Sequence, residues 1–94
     1  MVNTVQTVTA SHILVADLAT AQQLKTQLNE GAKFDELAKA NSKCPSSAAG
    51  GNLGTFGRNM MVKPFEDAAF NLPIGNISDP VQTQFGYHLI HRTG

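Results

Sequence analysis

With 94 residues, 41% of them hydrophobic, the chain has enough apolar content for one small core and too little length for two. Seven Lys and Arg balance seven Asp and Glu, a formal charge of zero, which removes any bulk attraction to nucleic acid or to an anionic membrane. A single cysteine, Cys44, excludes an internal disulfide and a multi-thiolate metal cluster, and with neither a long apolar run nor a basic segment leading into one, the expectation is a cytoplasmic protein.

Val5 to Val15 alternates as a strand, with Val8, Ala10, His12 and Leu14 on one face and Thr7, Thr9, Ser11, Ile13 and Val15 on the other. From Asp17 the period lengthens: Ala21, Leu24 and Leu28 make a helical stripe, and Gly31 is a natural stop. Phe34, Leu37 and Ala38 keep that spacing in a second helix ending before Pro45, with Asp35 and Glu36 in its first turn, where negative charge suits the dipole. Cys44 to Gly51 is a loop or short helical turn, and Asn52 to Gly57 a short strand flanked by glycine.

Pro64 suits the start of a third helix reaching Phe70, in which Phe65, Ala68 and Ala69 share a face. Leu72-Pro73-Ile74-Gly75 fits a type I turn, and Ile77 to Gln82 a third strand whose Pro80 prefers an edge. In a fourth strand, Gly86 to Arg92, alternation turns Phe85, Tyr87 and Leu89 one way and Gly86, His88 and Ile90 the other. The order strand, two helices, strand, helix, two strands is α+β, a small sheet with helices packed on it in one domain, residues 1–94. His12 and His88 each stand among apolar neighbours in a core strand, and together they suggest one site. His91 falls on the opposite face from His88 and reads as a surface residue.

Four segments, taken in order, carry a resemblance. Ser11-His12-Ile13-Leu14-Val15, Gly50-Gly51-Asn52-Leu53-Gly54-Thr55-Phe56, Met61-Val62-Lys63-Pro64-Phe65-Glu66-Asp67-Ala68-Ala69-Phe70 and Thr83-Gln84-Phe85-Gly86-Tyr87-His88-Leu89-Ile90 resemble the parvulin family of peptidyl-prolyl cis/trans isomerases, collinearly and over nearly the whole chain. The similarity is to the stand-alone prokaryotic type. It implies a four-stranded antiparallel sheet surrounded by about four helices, with a shallow groove that receives a proline side chain. By position it assigns Leu53, Met61 and Phe65 to the proline pocket with Phe56 beside it, His12 and His88 to a histidine pair, Cys44 to the groove's edge and Thr83 to the histidine network. Phe85, also counted with the substrate-binding residues, stands where phosphate-directed members carry serine, and Asn52 where many members carry an acidic residue.

The implied activity needs no metal and no cofactor, because an X-Pro bond isomerises by rotation over a barrier of about 18 to 20 kcal/mol with no bond made or broken. The implied partners are proline-containing peptides and unfolded clients, bound by a monomer that favours neutral or apolar residues before proline, independently of phosphorylation. The loop Ala16-Asp17-Leu18-Ala19-Thr20 lacks the basic cluster that a phosphate requires. His12 and His88 are expected to hold each other, with Thr83, rather than to pass protons to substrate. Met60 and Met61 also read as ordinary core filler. Two other classes stand beside this one: a thiol hydrolase with Cys44 as nucleophile and a histidine as base, and a chaperone-like groove that binds without turnover.

Overall fold

The computed structural model describes residues 7–94. Its element order is β1 (Thr7–Val15), α1 (Leu18–Asn29), α2 (Phe34–Asn41), a 3-10 turn (Pro45–Ala49), β2 (Asn52–Gly57), α3 (Lys63–Asn71), β3 (Val81–Thr83) and β4 (Gly86–Arg92). The four strands form one antiparallel sheet in the order β2-β1-β4-β3. Three α-helices and the 3-10 turn surround it, as the α+β reading expected. The expected start of the first strand at Val5 lies outside the described residues.

Alternation along β1 serves two cores, one on each face. Ile13 and Val15 pack with Leu89 of β4 against Ala21, Leu24 and Leu28 of α1 and Phe34 and Ala38 of α2. Val8 and Ala10 pack with Ile90 and Phe56 against Phe65 and Ala69 of α3. β1 and β4 are thus buried on both sides, and the histidines lie on the α3 face.

The helix ends follow their local chemistry. Asp17 caps α1 by accepting the Thr20 N–H at 3.0 Å and the Thr20 hydroxyl at 2.9 Å. At the far end Gly31 adopts a left-handed φ of 105°, its N–H donating to Leu28 O while the Ala32 N–H reaches Gln27 O, the Schellman arrangement.

Two expectations shift. The turn after α3 lies one residue later, closed by the Asn76 N–H on Pro73 O, and the φ of 93° at Gly75 in its third position suits type II rather than type I. The third strand, expected from Ile77, is confined to Val81–Thr83, with one isolated bridge between Ile77 and His91. Pro80 has no N–H to give a ladder. Upstream of it Ser78 holds the chain to β4, donating its N–H to Ile90 O at 2.8 Å and accepting the Ile90 N–H on Oγ at 3.0 Å, while the Gly75 N–H donates to Arg92 O at 2.7 Å and Asn76 O accepts the Arg92 N–H at 3.1 Å.

Candidate active site

The register of β1 on β4 sets Leu14 opposite His88 and His12 opposite Ile90, so the two histidines are diagonal neighbours on one face. Their Nδ1 atoms are 3.0 Å apart and the rings lie 19° from parallel. Thr83 pairs with Gly86 in the β3–β4 hairpin, and its Oγ1 lies 2.7 Å from His88 Nε2. The same hydroxyl oxygen accepts the Phe85 N–H at 3.1 Å, which ties the histidine chain to the turn that displays Phe85.

One of the two Nδ1 atoms must carry the hydrogen between them. His12 Nε2 is buried and has no hydrogen-bond partner among the described residues. A bare acceptor there costs less than a stranded N–H, which assigns the shared hydrogen to His12 Nδ1 and leaves His88 to donate from Nε2 to Thr83. Burial pushes both imidazoles down to about 4, with His88 beside it adding to the effect on His12. At neutral pH the floor of the site is therefore an uncharged hydrogen-bonded chain. Phe65 closes it from α3, its ring edge-on to both imidazoles at 5.5 and 5.1 Å.

An open cleft of about 490 Å³ lies over this floor. Leu53 enters from β2, Met60, Met61 and Val62 from the loop before α3, Phe65 from α3, and Phe85 from the hairpin turn. Lys43, Cys44 and Pro45 form the remaining edge, and Leu14 lines it beside the histidines.

Cys44 reaches that edge because β2 pairs with β1 only as far as Ser11. Beyond it the segment between α2 and β2 satisfies the open side of β1: Gly51 O accepts the His12 N–H at 2.9 Å, the Lys43 N–H donates to Leu14 O at 2.8 Å, and Ser42 Oγ accepts the Leu14 N–H at 3.0 Å. Ser42 Oγ also lies 3.4 Å from the Cys44 N–H. Gly51 is required there, since it has a φ of 84° and a Cβ would meet His12 O at 2.3 Å.

Of the residues expected at the site, His12, His88, Cys44, Leu53, Met61, Phe65 and Phe85 line the one cleft. Thr83 acts from behind His88. Phe56 requires a correction: it is 2% exposed and packs against Phe65 and Phe70 beneath the groove. Its pairing with Val8, deep in the core under α3, puts it there. Met60, also read as core filler, is instead 67% exposed on the cleft's rim. Ser42 and Glu66 were not singled out from sequence. The signal for Ser42 was a hydroxyl two residues before Cys44, and for Glu66 an acidic residue one position after Phe65, at the border of the helix face expected to be apolar.

Residues 1–94 match the PPIC-type PPIase domain model. The chain is 55% identical over 85 residues to the foldase protein PrsA of a Geobacillus species, a match covering 89% of this chain and 31% of that protein. The crystal structure of peptidylprolyl isomerase PrsA from Bacillus anthracis superposes with a TM-score of 0.94 at 48% identity, over 96% of this chain and 42% of that one. The solution structure of the parvulin of Nitrosopumilus maritimus does so with a TM-score of 0.86 at 46% identity, over 98% of this chain and 100% of that one. The chain spans about a third of the length of the foldase relatives it matches. It belongs to the PpiC-type peptidyl-prolyl cis/trans isomerase family, the parvulins.

Proposed function

We propose that the cleft isomerises X-Pro bonds in unfolded or partly folded clients, independently of phosphorylation and with a preference for neutral or apolar residues before the proline. The observation that carries this reading is an apolar cleft over a floor of neutral, mutually bonded histidines. Such a cleft grips a proline ring and desolvates the preceding amide. Resonance separates charge across the C–N bond, so the planar amide loses more than the twisted one when water is removed, and rotation becomes easier. Each drop of about 1.4 kcal/mol in the barrier is tenfold in rate. The step uses no proton transfer, which suits imidazoles committed to each other.

Phosphorylation independence is supported by where the charges stand. The Asp17 carboxylate is occupied by Thr20 at the start of α1, held below the usual carboxylate range first by the Thr20 N–H and then by its hydroxyl. Lys25 is committed to Ile77 O, Ser78 O and Asp79. Among the residues lining the cleft Lys43 is the one lysine or arginine, and one ammonium makes no phosphate clamp. Met60 and Phe85, 67% and 59% exposed across the mouth, also favour a second reading, a groove that holds apolar segments with little turnover.

Exchange NMR on short peptides with varied residues before proline tests the first reading. Faster cis/trans exchange in the presence of folded protein supports it; binding without acceleration at any of them would replace it with the second.

A further inference from the structure

The loop of residues 58–62 supplies Met60, Met61 and Val62 to the groove; Met61 and Val62 pack part-buried against the α3-side core, while Arg58, Asn59 and Met60 are exposed. A buried carboxylate holds its exposed first half, beside the Gly57 N–H on Met60 Sδ at 3.2 Å. Glu66 in α3 is 3% exposed, and its Oε1 accepts the Asn59 N–H while its Oε2 accepts from Arg58 Nη1 at 3.1 Å, with Lys63 Nζ at 3.8 Å. Asn59 stands at a left-handed φ of 71°, a region asparagine tolerates better than most non-glycine residues, and its N–H is directed at Glu66 there. The Arg58 guanidinium lies over the Phe70 ring at 4.4 Å, so the clamp is anchored to the core on both sides.

The Asn59 N–H first, and then Arg58 and Lys63, keep the Glu66 carboxyl below the usual range and therefore ionised. A charged acceptor holds its donors more tightly than a neutral one. Glu66, Arg58 and Asn59 are not among the cleft's lining residues, so any influence of the clamp on a bound peptide passes through the loop residues that are, Met60, Met61 and Val62.

We propose that Glu66 is a positioning residue for substrate binding: by clamping the Asn59 amide and Arg58, it fixes where Met60 and Met61 stand over the groove and thereby sets affinity for the proline segment. This rests on the groove being the site of X-Pro binding. The loop is then a wall whose place is decided from the buried side, and Glu66 acts on affinity more than on the rotation itself.

The test compares wild type with Glu66→Leu, which removes both acceptors, and Glu66→Gln, which keeps an oxygen for the Asn59 amide but turns an NH2 group toward Arg58. A short Ala-Pro peptide is titrated by NMR for Kd, exchange is measured at saturating peptide, and hydrogen exchange is followed at the Asn59 amide. Glu66→Leu should raise Kd about tenfold with exchange at saturation within about threefold of wild type, the pattern of lost uniform binding. Its Asn59 amide should lose protection, and Glu66→Gln should fall between. An unchanged Kd in folded Glu66→Leu overturns the proposal. Should that variant not fold, an unchanged Kd in Glu66→Gln overturns it equally. A wild type that binds the peptide without accelerating exchange would defeat the isomerase reading, and the Kd comparison would still decide the role of Glu66.

Discussion

His12 Nδ1 and His88 Nδ1, 76 positions apart in the chain, meet at 3.0 Å on one face of the sheet and give each other a buried hydrogen-bond partner. Removing one strands the other, at a cost of about 1 to 3 kcal/mol for the unpaired polar atom. His12→Ala and His88→Ala should each lower the melting temperature, and the double variant should cost less than the two single losses added together. Wild-type stability in a single variant that has lost all turnover would instead mark that histidine as acting directly on the substrate.

The same pair makes the fold acid-sensitive. Both imidazoles are held down to about 4 in the folded state against 6.5 ordinarily, so between those values the unfolded chain binds more protons than the folded one. Stability is complete above about 6.5 and falls as pH drops toward about 4. At roughly 1.4 kcal/mol per pH unit, one histidine accounts for about 3 kcal/mol over that window. Urea melts at pH 7, 6, 5 and 4 should show the decline, and His88→Phe should remove one histidine's share of it, leaving that of His12, which is held down first by burial; a wild-type stability level over this range would contradict the neutral pair.

Cys44 stands at the cleft's edge, but the histidine Nδ1 atoms are engaged with each other, His88 Nε2 with Thr83, and among the described residues no hydrogen bond joins the Cys44 thiol to either ring. Neither is set up as the base that a thiol nucleophile requires. Cys44→Ser should keep exchange catalysis within about tenfold of wild type, the scale of one lost weak contact of about 1.4 kcal/mol. Trapping a covalent adduct at Cys44 with a slow proline peptide would contradict this.

Gly51 passes so close to His12 O that a methyl group cannot fit. Gly51→Ala combines that collision with a left-handed φ, and the φ alone costs roughly 1 to 2 kcal/mol. Denaturant unfolding should show a loss of about 2 kcal/mol or more, with weaker peptide binding because the segment carrying Lys43 and Cys44 hangs on the same stretch of β1. Unchanged stability would mean that the segment re-routes without cost.

Catalytic efficiency on Leu-Pro, Ala-Pro, Glu-Pro and phospho-Ser-Pro in one host peptide checks the specificity. Leu-Pro and Ala-Pro should lead, and phospho-Ser-Pro should be slowest, because Asp17 is ionised and Lys25 is already committed. Phospho-Ser-Pro as the best substrate would remove phosphorylation independence from the reading.

Local rules made much of this fold legible from sequence. Period-two alternation set which side chains of β1 and β4 share a face, the stripe Ala21, Leu24, Leu28 with Gly31 set α1 and its stop, and His12 and His88 stood out as polar rings in apolar strands. Those properties depend on residues within a few positions of one another. What only the tertiary structure decided depends on distant partners. The β1–β4 register makes the histidines diagonal neighbours, and the register of β2 sinks Phe56 beneath Phe65 instead of at the groove. Ser42 serves as a side-chain substitute for a missing strand, and Glu66 as the buried clamp on a loop seven residues upstream. Periodicity states which face a residue takes but not what it will meet there, because the meeting is fixed by packing on both sides of the sheet at once.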